Sequence, residues 1–182
     1  MMDIKGDLVK ELREKTNAGV MDCKRALVEA KGNFEQAVSI LKTRGLAAAQ
    51  KKAERQASQG LIFSYIHMGG KIGVLLEINC ETDFVARNAG FQELAKDIAL
   101  QIAGAHPAAL YVSRQQVKPE EAGRNGNAEK YYEQACLLDQ PFIKNPSLTI
   151  QQLIQAKIAE LGENIVVRRF SRFQLGEPLA DA

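Results

Sequence analysis

The chain has 182 residues, 46% of them apolar and 25% charged, with a formal net charge of +2 at pH 7. That balance is ordinary for a globular protein and excludes wholesale disorder. The net charge is too small to steer the whole molecule onto a polyanion, and the longest apolar runs, such as 72–76, fall far short of the roughly 20 residues of a membrane span. Asp3, Lys5, Asp7 and Lys10 crowd the start with no apolar stretch behind them, which argues against a signal peptide. Cys23, Cys80 and Cys136 are odd in number and widely spaced, which suits a reducing, cytoplasmic setting better than a disulfide framework. Residues 1–56 hold 12 Lys/Arg against 8 Asp/Glu, and the remainder 12 against 14. A mildly basic first third and a mildly acidic rest predict two modules.

Three short helices are predicted within residues 1–45. Ile4, Leu8 and Leu12 form one apolar stripe. Thr16-Asn17-Ala18-Gly19 is turn chemistry, after which Val20, Cys23 and Leu27 share a helical face. Gly32-Asn33 ends that helix, with Asn33 placed to cap the next, whose stripe is Phe34, Ala37, Val38 and Leu41. Gly45 supplies a C-cap. Three such stripes must be buried against one another as a small bundle. Residues 46–59 have high helix propensity but little apolar stripe, and read as an exposed linker helix.

From Gly60 the period changes. Residues 61–68 and 72–79 are rich in β-branched and aromatic side chains on either side of Gly69-Gly70, which is a hairpin signal. A two-residue loop there pairs Leu61 with Ile78, Phe63 with Leu76 and Tyr65 with Val74, all on one face. A one-residue slip would destroy that agreement. Asn88 can cap a helix with the stripe Phe91, Leu94, Ala95, Ile98 and Ile102, ending at His106-Pro107. Further expectations are a short strand at 110–112, an exposed loop at 118–128, helices near 129–138 and 149–161, a last strand at 165–173 and a tail over 178–182. The fold class is α+β: a helical bundle over 1–45, a linker helix over 46–59, and a core over 60–177 with a small antiparallel sheet covered by helices.

Catalytic constellations are scarce. In the hairpin register His67 lies by the turn and Cys80 at the far end of the ladder, so they make a poor dyad. Metal-ligand spacings are absent. Gly69-Gly70-Lys71 looks like the end of a phosphate loop, but Tyr65 stands where that loop needs glycine and Ile72 where it needs Ser or Thr. No cofactor is predicted. Lys51, Lys52 and Arg55 form a small basic patch without interleaved aromatics, which gives nucleic-acid binding little support. Residues 81–88 remain. They join the hairpin to a helix and hold Phe84 among polar neighbours, with two readings open. Phe84 folds onto the core while Thr82 or Asp83 caps a turn, or it is an exposed aromatic anchor for a partner's pocket.

Two stretches carry a family resemblance. Residues 8–13 (LVKELR) with 16–27 (TNAGVMDCKRAL), and 72–88 (IGVLLEINCETDFVARN), resemble the two signatures of the bacterial elongation factor Ts family, the nucleotide exchange factors of elongation factor Tu. Residues 137–146 (LLDQPFIKNP) and 162–170 (GENIVVRRF) support the match. The resemblance implies a UBA-like amino-terminal bundle. It also implies a partner, GDP-bound factor Tu, engaged without covalent chemistry by Thr82, Asp83, Phe84 and Val85, with Phe84 wedging near the Mg²⁺ and phosphate site. Met21, Lys24 and Arg25 lie off the main stripe of the second helix and are candidate contacts. Longer members carry two related core halves and this chain one, so pairing as a homodimer is expected, although residues 118–128 look abridged. The alternative from another class is a non-catalytic interaction module built on the helical bundle.

Overall fold

The computed structural model describes residues 5–16, 18–123 and 126–178. Ile4, Asn17 and positions 179–182 of the expected tail therefore lie outside the described residues. The chain divides into two compact units, one formed by residues 1–55 with 155–164 and the other by residues 56–154 with 165–182.

In the first unit, helices α1 (Gly6–Thr16), α2 (Val20–Glu29) and α3 (Phe34–Lys52) bury a common core of Val9, Leu12, Cys23, Ala26, Leu27, Ala30, Ala37 and Leu41. The side chain of Asn33 accepts a hydrogen bond from the backbone N–H of Gln36 and so caps α3, as its position predicts. Two expectations fail. Val20 is 49% exposed, because the buried stripe of α2 runs through Cys23, Ala26 and Leu27 instead. Gly45 does not end its helix, since α3 runs on to Lys52. The backbone of Gly45 is not left-handed, and a Cβ there would lie 3.4 Å from the Cβ of Ala159. Beyond it Ala49 is buried, so the second half of α3 has a packed side of its own. Asn164, also buried, donates to the carbonyls of Ala53 and Arg55 at 3.2 and 2.8 Å and ties down the chain after that helix.

The second unit is built on an antiparallel sheet in the order β1–β2–β5, with β1 (Gln59–Ile66), β2 (Ile72–Cys80) and β5 (Val166–Gln174). Leu61 faces Ile78, Phe63 faces Leu76 and Tyr65 faces Val74, as the sequence pattern requires. The connecting loop has four residues rather than two. The N–H of His67 bonds the carbonyl of Ile72 and the N–H of Gly70 bonds the carbonyl of His67, with Gly69 and Gly70 both at positive φ. Both loops are centred on the two glycines, so the register is the same. Helix α4 (Asp83–Ala86) is a single turn, and α5 (Ala89–Gly104) lays Phe91, Leu94, Ala95, Ile98 and Ile102 into the core beneath β1 and β2.

The remainder corrects several expectations. Residues 110–112 are no strand of the sheet. Tyr111 forms one parallel bridge to Cys136, and the third strand is β5. The polar stretch 118–128 holds α6 (Pro119–Gly123), where proline starts the helix, Glu120 and Glu121 occupy its first turn and Ala122 is buried. Helix α7 (Ala128–Ala135) is followed by a 3₁₀ turn at Leu137–Asp139. A small hairpin, β3 (Pro141–Phe142) with β4 (Asn145–Thr149), leads into α8 (Ile150–Leu161). Gln101 and Gln140, buried together, satisfy this junction. Gln101 donates to Gln140 and to the carbonyl of Pro141 and accepts from the N–H of Ile143, and Gln140 donates to the carbonyls of Pro107 and Gln134.

Candidate functional site

Strand β2 ends on an inward side chain. Val74, Leu76, Ile78 and Cys80 alternate onto the core face and are all buried, so the chain leaves the sheet at Cys80 from inside the fold. Thr82 follows in extended conformation and caps α4, its side-chain oxygen accepting from the N–H of Val85 at 3.4 Å. Its carbonyl accepts from the N–H of Ala86 at 3.2 Å and from the thiol of Cys80 at 3.1 Å. The turn closes with bonds from Arg87 to the carbonyl of Asp83 and from Asn88 to that of Val85. Asn88 then caps α5 by accepting from the N–H of Gly90 at 2.8 Å. Three residues on, Phe91 is fully buried.

Phe84 sits at the tip of this turn and is 83% exposed, whereas Val85 and Ala86 beside it are half-buried. Of the two readings of Phe84, core packing and exposed anchor, the geometry is that of the exposed one. An aromatic ring left in water forgoes roughly 1.5–3 kcal/mol of burial. Here it is carried on a short helix held by caps at both of its ends. Asp83 pairs with Arg87 one turn on, both well exposed, an arrangement that contributes a few tenths of a kcal/mol at most.

On α2, Met21, Lys24 and Arg25 are exposed, with Arg25 engaged by Asp22 at 2.6 Å. They belong to the first unit and the residues around Phe84 to the second. Cys80 is fully buried and stands at the opposite end of β2 from the turn that carries His67, about 26 Å along eight residues of strand. A nucleophile–base pair from these two is out of reach. Among the described residues no three His, Cys, Asp or Glu side chains stand close enough to share a metal ion, and no helix is long and apolar enough to cross a membrane.

A second surface is not evident from the sequence pattern. The face of the sheet opposite α5 carries Ile62, Ile66, Leu75 and Phe173, all exposed. Ile66 and Phe173 flank Gly73, where a side chain would meet Ile66 Cδ1 at 3.2 Å. Glu77 and Arg169, paired at 2.6 Å, continue the same face. The available signal was that Ile62, Ile66, Leu75 and Phe173 are apolar at outward positions of strands whose other face is already apolar.

A family model described as Elongation factor TS matches residues 3–125 and 113–177. The elongation factor Ts of Anaeromyxobacter sp. (strain Fw109-5) is 52% identical over 98% of this chain and 91% of its own length. That of Thermodesulfovibrio yellowstonii (strain ATCC 51303 / DSM 11347 / YP87) is 50% identical over 97% of this chain and 98% of its own. The chain belongs to the elongation factor Ts family. Membership makes it an elongation factor, and the aligned length leaves no large part of those relatives without a counterpart here. Phe84 is the most exposed aromatic side chain among the described residues.

Proposed function

We propose that this protein is the nucleotide exchange factor of elongation factor Tu, acting in the cytoplasm on the GDP-bound form. Phe84 enters the partner's nucleotide-binding domain and disturbs the Mg²⁺ and phosphate site. The observation that carries this reading is the 83% exposure of Phe84 on a turn fixed between β2 and α5, in a chain of the elongation factor Ts family. Thr82 shapes the turn, and Asp83 and Val85 flank the ring. The bundle over residues 1–45, UBA-like in organisation, recruits the same partner through Met21, Lys24 and Arg25, and the core over 60–177 delivers the wedge. No covalent chemistry of its own is needed. Exchange is a linkage between two ligands of factor Tu, so whatever weakens GDP weakens the factor equally, and about 1.4 kcal/mol of coupling corresponds to a tenfold change.

The chain acts as a homodimer through the open face formed by Ile62, Ile66, Leu75 and Phe173. Clustered exposed apolar side chains mark interaction surfaces, and in a closed dimer such a patch meets its own copy about a two-fold axis.

The deciding experiment follows release of a fluorescent GDP analogue from factor Tu under a chase of excess GDP. Wild type accelerates release, and Phe84→Ala loses at least tenfold of that acceleration. Its unfolding free energy in urea titration stays within about 0.5 kcal/mol of wild type, as for an exposed side chain. A loss of about 3–5 kcal/mol would instead mark Phe84 as a core residue. Tight binding to factor Tu with no faster release from folded wild type would favour the non-catalytic interaction module.

A further inference from the structure

We propose that Cys80 is a positioning residue for exchange, its thiol holding the first carbonyl of the wedge helix against the core. The proposal rests on the reading of Phe84 as the wedge. Cys80 is the last inward side chain of β2 and is fully buried. Its Sγ donates to the carbonyl of Thr82 at 3.1 Å. That same oxygen accepts the N–H of Ala86 at 3.2 Å, the bond that closes the single turn of α4 around Phe84. A carbonyl oxygen has two lone pairs. Here one looks into the core and one into the turn, so the orientation of α4 is referred directly to the end of β2. A four-residue helix has no cooperative length of its own and takes its direction from such anchors. On the other side Asn88 bonds back to the carbonyl of Val85 and caps α5, so Phe84 is bracketed by one anchor in the sheet and one in the following helix.

The thiol does two separable jobs, filling an apolar pocket and donating a proton to an oxygen. Substitutions can part them. Cys80→Val fills the pocket and donates nothing. Cys80→Ser donates but places a hydroxyl among apolar side chains. Were Cys80 only a packing residue, exchange would follow stability, with valine better than serine. As a positioning donor it reverses the order. The GDP-release assay is therefore run on Cys80→Ser, Cys80→Val and Phe84→Ala, alongside urea midpoints and backbone ¹⁵N order parameters over residues 83–87. The expected result is exchange lowered about two- to fivefold in Cys80→Val, the range of one lost hydrogen bond of modest strength. Order parameters over the turn fall with it, and both are restored in Cys80→Ser even though that variant has the lower urea midpoint. Cys80→Val matching wild type in exchange and order would overturn the assignment, and so would Cys80→Ser being as slow as Cys80→Val. Phe84→Ala separates the two readings. Full exchange in that variant sinks the wedge, and with it any service of Cys80 to exchange. A dead Phe84→Ala beside a fully active Cys80→Val sinks Cys80 alone.

Discussion

Tyr111 holds its proton more tightly in the folded chain than a free tyrosine does. Its hydroxyl donates to the Glu121 carboxylate at 2.5 Å, and that bond to a negative group, with burial second, pushes its pKa up to about 12. The bond ties the segment after α5 to α6, a helix within a stretch whose polar pattern predicts a loop. A tyrosine whose folded pKa is raised contributes stability that is fully present below its unfolded value near 10 and disappears as pH climbs through 12. Urea midpoints of wild type and Tyr111→Phe should therefore differ by a constant amount from pH 7 to about pH 10 and converge between pH 10 and 12. A gap independent of pH across that window would mean that the hydroxyl does not give its proton to Glu121.

At the level of elements, Gly45 separates what the sequence pattern can decide from what tertiary contact decides. A glycine after an amphipathic run reads as a C-cap, and in a C-cap its φ would be positive, so alanine would destabilise by about 1 kcal/mol. Inside α3 the same glycine is a weak point, and Gly45→Ala should stabilise the first unit by about 0.5–1 kcal/mol. The new methyl comes into ordinary contact with Ala159 at 3.4 Å. The sign of the shift in urea midpoint separates the two readings. The pattern failed there because the long helix is completed by residues 155–164, more than a hundred positions away in the chain. The hairpin was legible for the opposite reason. Its partners are close in sequence, and a two- or a four-residue loop about Gly69-Gly70 gives one and the same register. The candidate site was legible as a segment but not as a geometry. Phe84 among polar neighbours fits a buried ring as well as an exposed one. Its exposure follows from the inward exit of β2 at Cys80 and the caps at Thr82 and Asn88, of which the caps are legible in the sequence and the thiol contact is not.

For the whole molecule the open sheet face makes the sharpest demand. Phe173 is 72% exposed in the single chain, opposite Gly73 in the register, so replacing it removes no contact from the core of its own fold. Phe173→Asp should leave the unfolding free energy within about 0.5 kcal/mol of wild type when each is measured well below the dimer dissociation constant. Across a two-fold axis the same substitution acts on both copies, removing two aromatic rings from the interface and adding two like charges to it. Sedimentation equilibrium at tens of micromolar should give wild type twice the 20.0 kDa of the chain and the variant a single chain. Wild type sedimenting as one chain throughout would refute the pairing. The variant also tests whether pairing bears on exchange. Phe84 and its turn lie on residues that Phe173→Asp does not touch, so slower GDP release by a folded monomer would mean that two cores must act together on factor Tu. Unchanged release would mean that one wedge on one core suffices, and that the open face serves assembly alone.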